Sequence, residues 1–397
     1  MTLDQPARPR RRPRDRKHQI VVAARDLFHQ RGFGNVGTGE IAAAVGITSG
    51  ALYRHFPSKQ DILLGAVDDV VNDDLVAAPS GAATLPELIT AVSDALRQRR
   101  SLGVLWHREL RHVDAADRDR VSRLLQHFLD DVATTLLRVR PELDESAART
   151  LTWFVISTLT SPSYHSAVLP GDREIVLLEH CALVVATTPM SGDDQPSVQL
   201  DAGPEALPAG LAHLSRRERI VAVATRLFFE RGYQATTMEE VGAATGVTGA
   251  AVYKHFESKA ALLGATIARA DGPLQLGLTR SLMAANTADE ALTLVLDEYI
   301  RFAIQHHHLV GILVAEVASL PEEQRTRVRR QQADYVAEWV RLLRESRPDL
   351  DRPQARYLVQ AVLSVVHDAT RTDWLRDQRG LSDLLHRVGQ RLIAVEL

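Results

Sequence analysis

The sequence predicts an all-α protein made of two copies of one helical unit in tandem, and three observations carry that reading. Apolar residues recur at helical spacing without convincing strand alternation, a long internal repeat runs at a fixed offset, and each copy contains two short helices joined through a glycine turn. The chain has 397 residues, 45% hydrophobic and 24% charged, a globular composition with room for two or three domains. Residues 16–59 align with 216–259 without a gap, and 19 of the 44 positions are identical. Fainter similarity continues after a shift of seven, where Arg140-Pro141-Glu142-Leu143-Asp144 matches Arg347-Pro348-Asp349-Leu350-Asp351.

Taken in order, residues 1–15 read as a basic flexible arm, 16–60 as a first helix-turn-helix domain and 61–187 as a first helical body. Residues 188–214, interrupted by Pro189, Pro196, Pro204 and Pro208, read as a linker. Residues 215–260 then repeat the helix-turn-helix domain and 261–397 the body. Ile20, Ala24, Leu27 and Phe28 lie on one helix face, as do Ile220, Ala224, Leu227 and Phe228. That helix ends at Gly32 or Gly232, a residue suited to a left-handed cap. A short helix over 39–45, a turn at Gly46 and a second short helix over 49–56 follow.

Charge is uneven along the chain. The net charge is −3, yet residues 1–60 hold eleven Arg/Lys against four Asp/Glu, so the rest of the chain is acidic. In a helix-turn-helix the second helix enters the major groove N-terminus first, with flanking hydroxyls and cations on phosphates. The first copy offers Arg16, Lys17, Thr38, Thr48, Tyr53, His55 and Lys59 for the backbone, and Ser49, Gly50, Ala51 and Arg54 for the bases. The second offers Arg216, Thr237, Thr248, Tyr253, His255 and Lys259, with Gly249, Ala250, Ala251 and Lys254. Ordinary packing at a helix end is the other reading of Tyr53 and His55; their recurrence as Tyr253 and His255 favours phosphate contact. Most base-facing residues are small, so specificity would rest on methyl contacts, close backbone approach and DNA shape. The arm is either a further phosphate or minor-groove contact or a solvated tail.

These motifs resemble the TetR family of bacterial transcriptional regulators. The match runs through Leu27-Phe28, Arg31-Gly32-Phe33, Gly46-Ile47-Thr48 and Leu52-Tyr53-Arg54-His55-Phe56-Pro57-Ser58-Lys59, and through Leu227-Phe228, Arg231-Gly232-Tyr233, Thr236-Thr237, Gly246-Val247-Thr248 and Val252-Tyr253-Lys254-His255-Phe256 with Ser258-Lys259. The resemblance implies a three-helix DNA-binding domain on a helical ligand-binding and dimerisation body in each copy. It implies a double-stranded operator as partner, a small-molecule effector that releases it, and a cytoplasmic, nucleoid-associated location. Two departures stand out. Gly37 replaces the hydroxyl cap that Thr237 supplies, and two copies share one chain where the family usually forms homodimers. The resemblance places the pairing surface in the last two helices of each copy, about 145–168 with 174–187 and 353–371 with 381–395. An intramolecular pseudo-dimer and a homodimer of tandem chains both satisfy it, since a flexible linker of this length reaches about 30 Å.

In the bodies, Leu105, Trp106, Glu109, Phe128, Trp153 and Phe154, with Phe302, Leu313, Glu316, Tyr335 and Trp339, are candidates to line an apolar effector pocket. Core packing is the rival reading, and the one that aromatics at helical spacing favour. His306-His307-His308 point in different directions around a helix and read as helix-end residues, so no metal site is expected. No cofactor motif or catalytic signature occurs, which argues against an enzyme. The single Cys181 excludes an intrachain disulfide. Residues 150–171 carry no Asp, Glu, Lys or Arg, but their many hydroxyls suit a buried bundle helix better than a membrane span. The leading function is an effector-released repressor on a near-palindromic operator; the alternative is an architectural or partner-recruiting DNA-binding protein without a pocket.

Overall fold

The structure, a computed structural model, describes residues 13–72, 75, 78–97, 99–165, 167–170, 172–190 and 213–396. Among these residues there is no strand. In the first copy α1 spans Pro13–Arg31, α2 Thr38–Ala44, α3 Ser49–Tyr53 and α4 Lys59–Val70. Its body adds α5 Leu85–Arg97, the short α6 Leu102–Val104, α7 Ala115–Val139, α8 Glu145–Thr160 and α9 Arg173–Ala186. The second copy repeats the head as α10 Arg216–Arg231, α11 Met238–Ala244, α12 Gly249–Tyr253 and α13 Lys259–Ala284. Its body continues through α14 Ala288–Gln305, α15 His307–Ala315, α16 Glu322–Ser346, α17 Arg352–Arg371, α18 Asp373–Arg376 and α19 Leu381–Ile393.

Helix α1 starts at Pro13, inside the stretch expected to be a flexible arm. Residues 1–12, with Arg8, Arg10, Arg11 and Arg12, lie outside the described residues, as do 191–212 of the expected linker. The glycines that end the first helix of each head adopt φ +83°, ψ 147° at Gly32 and φ +85°, ψ 153° at Gly232. That is not the left-handed helical cap the sequence suggested. It is an extended conformation at positive φ that belongs almost only to glycine. Gly46 and Gly246, at φ +68° and +73°, make the turn between the two short helices.

The last two helices of each copy meet across the chain. Helix α8 packs on α17, and α9 on α19, closing an intramolecular four-helix interface. Trp153 and Trp374 meet edge to face at 6.1 Å between ring centres, and the Arg149 guanidinium lies 5.7 Å over the Trp374 ring. Gln378 Nε2 donates to Thr150 Oγ1 at 3.0 Å, Arg391 Nη2 to Thr187 Oγ1 at 3.0 Å, and Tyr357 OH to the Ala167 carbonyl at 3.0 Å. Arg173 pairs with Asp351 at 3.0 Å.

This position explains the uncharged stretch in α8, which is buried along most of its length. Several of its hydroxyls bond back to carbonyls one turn earlier, Thr158 to Phe154 and Thr160 to Ile156 at 2.8 Å each, which satisfies those polar side chains inside the bundle. No helix among the described residues is long and apolar enough to cross a membrane.

Candidate functional site

Each head presents the end of a short helix to solvent. Thr48 caps α3 by accepting from Ala51 N at 3.2 Å, and Thr248 caps α12 from Ala251 N at 3.3 Å. Burial of Leu52 and Val252 fixes the inward face of these helices. Ser49, Gly50, Tyr53 and Arg54 are therefore exposed, as are Ala250, Tyr253, Lys254 and His255. Ala51, His55, Gly249 and Ala251 are half-buried. Tyr53 and Tyr253 stand out at 50% and 49% exposure, unusual for large aromatic residues whose surroundings offer a core. The Tyr53 and Thr38 hydroxyls lie 3.2 Å apart.

At the start of the heads, Arg16 Nη1 donates to the Val45 carbonyl at 3.1 Å, while Arg216 is exposed. Lys17 lies 5.2 Å over the Phe56 ring, and Arg217 repeats the contact over Phe256 at 4.8 Å. Arg217 is thus the positional equivalent of Lys17. The repeat offset alone pointed to it, but its change from Lys to Arg concealed the match.

The two conserved-offset lysines have a task inside the heads. Lys59 donates to the Phe33 carbonyl; Lys259 donates to Tyr233, Gln234 and Thr236 carbonyls at 2.8, 3.2 and 2.9 Å, which uses all three ammonium protons. Both also sit over the ring they clamp, at 4.1 Å from Phe33 and 4.4 Å from Tyr233. Burial lowers both lysine pKa values. This differs from the free phosphate-seeking side chains expected from sequence, because the turn after the first helix leaves carbonyls that need donors.

A second repeated pair ties head to body. Glu109 Oε2 accepts from Phe33 N at 3.0 Å, and Glu316 Oε1 accepts from Tyr233 N at 2.9 Å. Both carboxylates are 1% exposed. Both pair with arginines of the first copy, Arg108 with Glu109 and Arg111 with Glu316 at 2.6 Å. At the offset of 207 the second copy has Ala315 and Ala318 instead. Glu109 and Glu316 are thus head-to-body struts and not pocket residues, which corrects the sequence reading.

A cavity of about 860 Å³ opens in the second body, lined among others by Ile267, Ala270, Asp271, Leu313, Val328 and Gln332. Their equivalents in the first copy, Val67, Val70, Val71, Trp106, Val121 and Leu125, surround a void of only about 10 Å³. The Trp106 indole and larger aliphatic side chains fill the first body where Leu313 and Ala270 leave the second open. Of the sequence candidates, Leu313 and Tyr335 line the large cavity. The others do not. Leu105 and Trp106 border the small void, and Phe128, Phe154 and Trp339 are 0 to 1% exposed in the core. Phe302 packs on His306 at 5.0 Å, and Trp153 belongs to the interface between copies.

His306 closes α14 and His307 opens α15, while His307 and His308 sit edge-on to Phe229. Burial holds the His307 imidazole down to about 4. Cys181 is buried, and burial pushes its thiol up to about 12.

Two helix-turn-helix heads on all-helical bodies define a class of duplicated helix-turn-helix proteins. Comparison gives the family. The description "Bacterial regulatory proteins, tetR family" matches residues 20–66 and again 220–266, and "Tetracyclin repressor-like, C-terminal domain" matches 285–378. The chain belongs to the TetR family and carries two copies of its N-terminal domain. It is 34% identical over 110 residues to the HTH-type transcriptional repressor KstR2 of Rhodococcus jostii, a match covering 26% of this chain and 54% of that protein. It is 39% identical over 71 residues to the HTH-type transcriptional activator FasR of Mycolicibacterium smegmatis, covering 18% of this chain and 32% of FasR. The chain therefore spans about half the length of one relative and a third of the other. A solved TetR-family transcriptional regulator from Bordetella parapertussis aligns with a TM-score of 0.41 at 19% identity, over 44% of this chain and 93% of that one.

Proposed function

We propose that the chain is a sequence-specific DNA-binding transcriptional regulator that works as a pseudo-dimer within one polypeptide, with residues 16–60 and 215–260 as its DNA-binding domains. The observation that carries this reading is the repeat of one exposed set in both heads, a threonine cap, a solvent-facing tyrosine and a basic residue beside it. Such a set suits the phosphate backbone on either side of a major groove. Family membership supports it, and the pairing of α8 and α9 with α17 and α19 supports two heads held as a fixed pair.

The two reading helices differ, with Ser49-Gly50-Ala51 and Arg54 in one and Gly249-Ala250-Ala251 and Lys254 in the other, so the preferred operator is an imperfect palindrome. A small molecule in the second body is the proposed release signal. Its message would travel through the Glu109 and Glu316 struts, which join body to head at the turn after the first helix of each head. The protein acts in the cytoplasm on the nucleoid and performs no chemistry of its own.

The test is fluorescence anisotropy against the DNA upstream of the chain's own gene at two salt concentrations, with excess scrambled competitor. Competitor-resistant binding that weakens when Tyr53→Phe and Tyr253→Phe are combined supports the reading. Binding that scrambled DNA abolishes removes sequence specificity from it.

A further inference from the structure

The large cavity has a polar side that its apolar walls do not explain. Three residues that line it each carry a buried donor without a partner in the protein, Tyr164 OH, His165 Nε2 and Arg356 Nε. Buried polar atoms are nearly always paired, and three of the nine orphans among the described residues fall on residues of this one cavity, which points to a polar ligand group there. His165 Nε2 and Arg356 Nε can only donate, and the Tyr164 hydroxyl can donate. His165 Nδ1 accepts from Ala167 N at 3.2 Å, which leaves the imidazole proton on Nε2. The ring is held edge-on to Tyr357 at 4.6 Å. Burial, helped by Arg356, keeps the imidazole neutral down to about 3, and burial raises the Tyr164 phenol. An arginine guanidinium is charged at any working pH and accepts nothing.

The rest of the lining agrees in sign. Arg108, Arg327 and Arg329 also border the cavity, and among the described residues Asp271 is the only carboxylate to do so. That carboxylate accepts from Gln331 Nε2 at 3.0 Å. Arg108 already donates from Nε to Glu109 and from Nη2 to the carbonyls of Phe28 and His29 at 2.6 and 2.8 Å, so three of its five hydrogens are committed. The apolar wall comes from Val310, Leu313, Val314, Leu363, Ile267 and Val336. Ownership is divided as well. Tyr164 and His165 belong to the first copy, Arg356 and the apolar wall to the second, while the equivalent space in the first body is closed.

We propose that this cavity is a single site, shared by the two copies, for one amphipathic organic anion per chain, its apolar part in the second body and its acid oxygens accepting from Tyr164, His165 and Arg356. The proposal rests on the effector reading above and narrows it to one chemical class and one molecule for two heads. Two family domains fused in one chain have kept one pocket and filled the other.

The experiment is a titration of the full chain with anilinonaphthalene sulfonate and with its uncharged parent, phenylnaphthylamine, two dyes that brighten in apolar surroundings and differ by the acid group. One sulfonate dye should bind per chain, about tenfold more tightly than the neutral dye, the difference a charge-assisted hydrogen bond makes. Arg356→Leu should remove that preference and leave the neutral dye within about twofold. His165→Phe, which keeps a ring against Tyr357 and deletes only the donor, is the second variant should Arg356→Leu lose its helical circular dichroism. Leu313→Trp, which restores the first copy's residue, should exclude both dyes. Equal affinity for the two dyes, two sulfonate sites per chain, or a preference unchanged by both donor substitutions would overturn the proposal. Operator anisotropy in the same samples separates the two readings: dye binding that leaves DNA affinity unchanged keeps the acid site and removes effector release, and intact DNA binding without dye preference removes the acid site and keeps the DNA-binding regulator.

Discussion

At the scale of single residues, the buried glutamates are the most exacting positions in the molecule. Glu316 accepts the Tyr233 N–H and pairs with Arg111, and removing its carboxylate would strand a buried donor and a guanidinium together. Glu316→Ala should lower stability by on the order of 3 kcal/mol, and Glu316→Gln by less because its amide oxygen still accepts the N–H. Denaturant midpoints measure this, and an unchanged midpoint for the alanine variant would remove the strut from the argument. The buried imidazoles give a second residue-level prediction. Burial holds His112 and His367 to about 4 and His165 to about 3, against 6.5 for an exposed histidine. Between 6.5 and 4 the unfolded chain binds protons that the folded chain refuses, so this contribution to stability is complete above 6.5 and shrinks as pH falls toward 4. Thermal melts should show Tm dropping by several degrees between about pH 7 and about pH 5, and a flat profile would mean these rings are hydrated.

At the scale of the element, the two heads differ most where their second helices begin. Thr237 Oγ1 accepts from Glu240 N at 3.1 Å and the Glu240 carboxylate accepts from Thr237 N at 2.7 Å, a reciprocal box. In the first head only the glutamate half survives, Glu40 accepting from Gly37 N at 2.8 Å. Gly37 sits at φ −86°, ψ 150°, open to any residue, and a Cβ there would meet Glu40 Oε2 at an ordinary 3.5 Å. Gly37→Thr should therefore stabilise the first head by about 0.5 kcal/mol and slow amide exchange in α2, whereas Thr237→Ala should cost about 1 kcal/mol in the second. Faster exchange in α2 of Gly37→Thr would contradict the cap geometry. This difference was legible in the sequence because a cap is a local matter of residue type and spacing. The positions of Lys59 and Lys259 were legible too, through their fixed offset, but their clamping of turn carbonyls was not. Those carbonyls lie in the turn that follows Gly32 and Gly232, where the chain leaves the first helix in an extended conformation at positive φ. The pocket candidates misled for a related reason. Aromatic type and helical spacing say that a residue faces inward, and only the volumes of its neighbours decide whether that interior is filled, as around Trp106, or open, as beside Leu313.

At the scale of the molecule, the question is what a dimerising fold does when both partners lie on one chain. The surface that the resemblance assigns to pairing, the last two helices of each copy, is occupied within this chain by α8, α9, α17 and α19. Trp153, Trp374, Arg149, Tyr357 and Gln378 are engaged there, and the same residues cannot also serve a second chain in the same way. Fusion also relaxes a constraint that a homodimer cannot escape, since a change in one copy is no longer forced on the other. The arginines Arg108 and Arg111 appear in one copy and Ala315 and Ala318 in the other, the cavity opens on one side only, and the reading helices have drifted apart. Each of these asymmetries is stable only if the two copies stay paired with each other. The chain should therefore behave as a single species of 43.8 kDa by light scattering across micromolar concentrations, with one chain protecting one operator. A species of twice that mass that dissociates on dilution would show the helices exchanged between chains, four heads in one particle, and the asymmetries would then have to be explained by pairing between chains.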